Sequence, residues 1–150
     1  MRRKVAPAID ASPIFPASRL WPINSTIAHP SYPFTIESEG GLHIIRLEAL
    51  FDALVKAVRL RTSPSEISAS FHGTAALMVA QMCELVGKET SLRTVALSGG
   101  CFQNRQLLRL VADAVGNRGF HVLLHRQVPC NDGGLSLGQA VTAHFLQGGK

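Results

Sequence analysis

Long apolar runs are missing from this chain. None of its 150 residues belongs to a run near the ~20 that span a bilayer, so no membrane partner is expected. Nor is a secretory leader expected. Arg2, Arg3 and Lys4 open the chain as a leader would, but Pro7 and Asp10 interrupt the apolar stretch of ~7–15 residues that should follow. Cysteine is sparse. Cys83, Cys101 and Cys130 are an odd number without CxxC spacing, which argues for reduced thiols, not a disulfide framework, and for a cytoplasmic protein. Aromatics make up only 6% of the chain, and no dense basic run exists for them to interleave with. The net charge of +5 would suit an anionic partner, yet three of those charges sit at the N-terminus and the rest are scattered. Nucleic acid is therefore not the expected partner.

What is present suffices for one domain: 46% hydrophobic and 17% charged residues, a normal globular balance. Six of the eight prolines fall within residues 1–33, at Pro7, Pro13, Pro16, Pro22, Pro30 and Pro33. Proline at that density blocks helix and ladder, so residues 1–30 read as an irregular or disordered arm. The chain then becomes regular. RLEALFDALVKAVRL, 46–60, sets Leu47, Leu50, Phe51, Leu54, Val55 and Val58 on one helical face. Ser63, Pro64 and Glu66 form a cap signature for a second helix, with Ile67, Phe71, Ala75, Met78, Met82 and Leu85 inward and Gly87 as its stop. TVALS, 94–98, reads as a buried strand and QNRQLLRLVADAVG as a third helix, with Leu107, Leu108, Val111, Ala114 and Val115 inward. FHVLLH, 120–125, reads as a second strand, and LSLGQAVTAHFL as a last helix. Strands alternating with helices imply an α/β layer with parallel pairing. Two strands make a poor sheet alone, so 32–36 or 42–45 are expected as an edge strand, within part of a larger sheet.

Candidate sites lie where these strands end, because open α/β sheets bind ligands at the carboxyl ends of their strands. Ser98-Gly99-Gly100 sits there, immediately before a helix. Two glycines fit either a plain turn needing positive φ or a ligand approaching the backbone. No Gly-Lys-Ser/Thr follows and a third glycine is lacking, so neither a P-loop nor a dinucleotide fingerprint applies. Asn104, in the first turn, is either a solvated polar residue or a partner for a base or ribose. Asn131-Asp132-Gly133-Gly134 repeats the pattern after the second strand. Its Asp132 serves as a helix cap or as a ligand to a cation, beside open backbone at Gly133 and Gly134. His121 and His125 are four apart, but four residues of strand span ~13 Å, too far to share one ion. They read as strand-end histidines, and His72 as a helix-surface residue or an indirect support. Cys101 and Cys130, each beside a glycine-containing loop, lack an evident His/Asp partner set for a nucleophile.

Taken together, SFHGTAA, VALSGGCFQNRQLL and RQVPCNDGGLSLGQA, with SYPF at 31–34, resemble the C-terminal end of the HypF carbamoyltransferases of nickel–iron hydrogenase maturation. The resemblance covers 31–147. It implies one lobe of an actin/Hsp70/sugar-kinase-like fold, in the version shared with tRNA threonylcarbamoyl transferases, where two lobes clasp a nucleotide. ATP and a carbamoyl adenylate are the implied ligands. The implied acceptor is a cysteine thiol at the C-terminus of a HypE-like partner. By position, Ser98, Gly99, Gly100, Asn104, Gly133 and Gly134 would hold the nucleotide, and Asp132 would ligate the divalent metal, iron or zinc. The histidine run that completes the family's metal site has no counterpart in this sequence, so the metal is not expected to be retained. Transfer would then require a separate chain carrying the first lobe. Two other readings stay open: a non-catalytic nucleotide- or protein-binding remnant that docks on a HypE-like protein or an intact HypF, and a relative of the tRNA-modifying transferases.

Overall fold

The computed structural model describes residues 30–148, and all but the last residue of the expected arm, 1–30, lies outside them. The first element is a hairpin of β1 (Thr35–Glu39) and β2 (Leu42–Arg46). Gly40 and Gly41 form its two-residue turn, with φ of 59° and 80°. Such a turn matches the twist of paired strands, and both positions favour glycine. Helix α1 (Glu48–Arg59) follows, then the long α2 (Pro64–Thr90). The second half alternates: β3 (Thr94–Leu97), α3 (Arg105–Gly116), β4 (His121–Leu124) and α4 (Leu135–Leu146). Short 3-10 turns at Gly100–Gln103 and Asp132–Gly134 lead into α3 and α4. The protein is a mixed α/β structure, and no helix among the described residues is long and apolar enough to cross a membrane.

β3 and β4 pair in parallel, as the strand–helix alternation implies, in the register Thr94↔His121 through Leu97↔Leu124. The expected edge strand is not added to them. β1 and β2 pair only with each other, in a separate two-stranded sheet. A local glycine turn closes the hairpin and sets its register. Its tie to the rest includes His43, whose Nε2 lies 2.9 Å from Glu89 Oε1 in the last turn of α2, while its Nδ1 meets Ser38 Oγ at 2.8 Å.

The start of α2 forms as its cap residues dictate. Ser63 Oγ accepts the Glu66 N–H, and the Glu66 carboxylate accepts the Ser63 N–H, with Pro64 at the first helical position. Its end departs from expectation. Gly87 does not stop the helix, which runs to Thr90 and closes with Ser91 at φ 60°. Gly87 is there because Phe120 packs on it: a Cβ would stand 2.8 Å from the ring's Cζ.

The buried face of α2 also differs from the apolar stripe read in the sequence. Phe71 is exposed, and Ser70, Gly73, Thr74, Ala76, Ala80 and Gly87 are buried. Small side chains let α3 lie close, and they meet Val111 and Val115, both fully enclosed. Leu97 and Phe120 complete this core. α1 buries only Leu50 of its expected face, leaving Phe51, Val55 and Val58 exposed. Helices α2 and α3 thus cover one face of the β3–β4 pair through Val95, Leu97, Val122 and Leu124. The other face, with Ala96 and Leu123, is open.

Candidate functional site

The carboxyl ends of β3 and β4 face one cleft of about 620 Å³. Ser98 and His125 stand on one side of it, the 128–131 loop and Gly134 on another, and one face of α4 closes it with Gln139 and Thr142. Parallel register brings the first pair together. Leu97 lies opposite Leu124, so the next residues, Ser98 and His125, are also opposite, and Ser98 Oγ is 2.8 Å from His125 Nε2. Sequence reasoning treated His125 as a strand end. The available signal was that each residue follows its four-residue apolar strand by one position.

The two glycines after Ser98 are different in kind. Gly99 has φ 109°, in the region that excludes side chains, and its N–H donates to the Cys130 carbonyl at 2.8 Å. That bond ties the β3 loop to the β4 loop. Gly100 has no such φ, and a Cβ built on it would meet nothing within 4 Å. Nothing among the described residues therefore requires glycine at 100. Space for a ligand beside the backbone is what this position offers.

Asn104 caps α3. Its Oδ1 accepts the N–H groups of Gln106 and Leu107, each at 3.1 Å, and its Nδ2 lies 2.8 Å from His72 Nε2. The expected pair of glycines in the second loop serves its own folding. Asn131 Oδ1 accepts the Gly133 N–H at 3.0 Å, while a Cβ at Gly134 would sit 2.9 Å from both the Pro129 carbonyl and Val128. Asn131, not Asp132, is the residue that caps this turn. Asp132 is exposed and is not part of the cleft wall.

The expected nucleotide residues and the expected metal ligand stand differently in the structure. Ser98 and Gly134 line one open, largely uncharged cleft, and Gly99 is tied to it by its bond to Cys130, whereas Gly100, Asn104 and Gly133 are not among its lining residues. Among the described residues, no three His, Cys, Asp or Glu side chains gather closely enough to hold an ion. Asp132 alone is too few ligands for a divalent cation. The shifted titrations lie away from the cleft. Burial pushes the Asp113 carboxyl above its ordinary value, partly countered by Arg109, and burial likewise pushes the Cys83 thiol up.

Comparison with known proteins is consistent over most of the chain. A family model described as "Carbamoyltransferase, Kae1-like Domain, second subdomain" matches residues 17–139. Carbamoyltransferase HypF2 of Cupriavidus necator is 37% identical over 90 residues, covering 60% of this chain and 11% of that protein. Carbamoyltransferase HypF of Synechocystis sp. is 32% identical over 108 residues, covering 72% of this chain and 13% of that one. This chain thus spans roughly a tenth of the length of these curated relatives. Among solved structures, full-length HypF in its phosphate- and nucleotide-bound form superposes with a TM-score of 0.71 at 38% identity, over 78% of this chain and 15% of the other.

Proposed function

This chain belongs to the HypF carbamoyltransferases, matching the second subdomain of their Kae1-like domain, and from that premise we propose that its cleft is one wall of a nucleotide site. The ligand in this reading is ATP or a carbamoyl adenylate, and the fold is one lobe of an actin/Hsp70/sugar-kinase-like clasp. The carbamoyl group would pass to a C-terminal cysteine thiol of a HypE-like protein, in nickel–iron hydrogenase maturation. The opposite wall, and any metal, would come from residues outside this sequence, because Asp132 has no partner ligands among the described residues.

The observation that carries the reading is Gly100. A residue without a side chain, where the fold would accept one, stands between a strand's end and a helix, next to Gly99, whose N–H is bonded to Cys130 of the cleft wall. A matching structure that holds phosphate and nucleotide supports the ligand class. The polar groups suit the task. Ser98 and His125 supply a hydroxyl and an imidazole at the cleft wall, and the Asn104 carboxamide lies at the end of the same loop. Backbone geometry fixed by the Gly99–Cys130 bond holds these groups in place before a ligand arrives, which lowers the cost of ordering them on binding.

The test is Gly100→Val. Since no atom of the described residues beyond its chain neighbours lies within 4 Å of the added Cβ, folding should be preserved, with unchanged circular dichroism. Binding of ATP or a carbamoyl-adenylate mimic, followed by calorimetry with the complementary lobe present, should be lost. Undiminished binding would remove the nucleotide from this loop. Gly99 is the wrong position for the test, because its φ of 109° would strain any other residue.

A further inference from the structure

The Ser98–Asn104 loop is held at both ends by a histidine from another element. His125 meets Ser98 at the front, and His72, from the third turn of α2, meets Asn104 at the back. The second contact has only one consistent arrangement of hydrogens. His72 Nδ1 lies 2.7 Å from the Ser68 carbonyl oxygen, which can only accept, so Nδ1 carries the proton. In a neutral imidazole Nε2 is then an acceptor. The group at 2.8 Å from it must donate, so it is the Asn104 NH2. Oδ1 consequently points to the Gln106 and Leu107 N–H groups. Flipping the carboxamide would set an oxygen against the Nε2 lone pair and an NH2 against two N–H donors, so every one of these bonds would fail.

From this chain of bonds we infer that His72 is a positioning residue: it fixes the Asn104 carboxamide, and through it the loop that takes the nucleotide. The inference rests on the nucleotide reading of that loop. It explains why a helix that never enters the cleft carries a histidine there. The α2 face below it is built of Ser70, Gly73 and Thr74, which are buried, and such small residues bring α2 near enough to α3 for the bond to form. One hydrogen of Asn104 Nδ2 is committed to His72. The other is left for a ligand.

Two readouts test it, one of them independent of nucleotide. In the 15N-labelled chain, long-range nitrogen–proton correlation should show His72 as the Nδ1–H tautomer, and His72→Ala should shift the Asn104 side-chain NH2 signals. An Nε2–H tautomer, or Asn104 signals untouched by the substitution, would overturn the inference. The tautomer is read on the unsubstituted chain, so it decides even if His72→Ala does not fold. With the complementary lobe present, His72→Ala should weaken ATP binding roughly 2- to 10-fold, the range expected of one neutral hydrogen bond, with the cooperative melt retained and lowered by only a few degrees. His72→Gln, whose carbonyl can accept from Asn104, should restore it. Equal affinity in His72→Ala and the unsubstituted chain, or no rescue by glutamine, refutes the positioning role. If ATP does not bind the unsubstituted protein at all, the nucleotide reading fails, and the tautomer alone still judges the histidine–asparagine clamp.

Discussion

Replacing Ala80 with leucine tests the packing on which the site's geometry depends. Ala80 is 0% exposed and lies in the core cluster with Val111 and Val115 of α3. Leucine adds three carbons. If space existed, burying them would stabilise the fold by about 0.8 kcal/mol each. Ala80 is enclosed on all sides, so the helices must separate or side chains must leave their preferred rotamers, at a cost of about 1–3 kcal/mol. Intrinsic helix preference barely changes, since alanine and leucine are both strong formers. The net loss of about 1–3 kcal/mol is large against the ~5–15 kcal/mol that typically holds a domain together. At roughly 4 °C per kcal/mol, the melting temperature should fall by ~4–12 °C. Val58→Ala is the control. The sequence pattern turns Val58 inward, but it is 64% exposed, and its change should stay within about 0.5 kcal/mol. Paired thermal and urea melts decide. An Ala80→Leu chain as stable as its parent, with Val58→Ala clearly weaker, would mean that α1's apolar face, and not the small-residue face of α2, is buried.

Two further outcomes follow from exposure and burial. α4 is exposed along its whole length, with Phe145 at 71% and Leu146 at 82%, and α1 leaves Phe51 and Val58 in water. Exposed apolar side chains of this size on two helices favour association, so the chain alone should dimerise or aggregate in size-exclusion chromatography; a monodisperse monomer melting cooperatively above about 60 °C would refute this. Burial holds the folded pKa of Asp113 above its unfolded value, so the charged form costs stability above the folded pKa, and this cost disappears below the unfolded one. Asp113→Asn should therefore raise the melting temperature at pH 7, and the gain should shrink as pH falls through the carboxylate range; a gain that grows toward acid would reverse the assignment.

Elements specified by neighbouring residues were legible in the sequence. The Ser63–Glu66 cap, the span of α4 and the parallel β3–β4 pairing follow from local signals, and the structure has all three. The inward residues of α3 were also legible, because Val111 and Val115 lie on an apolar stripe with a polar opposite face. α2 misled because its burial is set by its partner. A helix that must approach another closely buries its small residues, and a hydrophobicity pattern then selects the wrong side. Gly87 misled for a related reason: its lack of a side chain serves the Phe120 ring, 27 helical residues of α2 notwithstanding. In the site, the glycine loops were visible as loops. The Ser98–His125 and His72–Asn104 bonds were not, since one depends on strand register and the other on helix spacing. Asp132 stood out by its charge, while Asn131 beside it does the capping.

α2 also has a mechanical consequence. Its 27 residues make a rod of about 40 Å at ~1.5 Å per residue. Among its contacts, His72 meets the loop after β3, Ala80 packs against α3, and Glu89 meets the hairpin. The arms on either side of Ala80 are nearly equal, eight residues to His72 and nine to Glu89, or about 12 Å and 13 Å. Buried positions from Ser70 to Gly87 hold the rod in the core between those two ends. A tilt of about 5° moves either tip by ~1 Å, which is enough to stretch a hydrogen bond of ordinary length past its limit of roughly 3.2 Å. One helix thus carries the hairpin contact near one end and the Asn104 contact toward the other, so the geometry of both depends on how that single rod is seated.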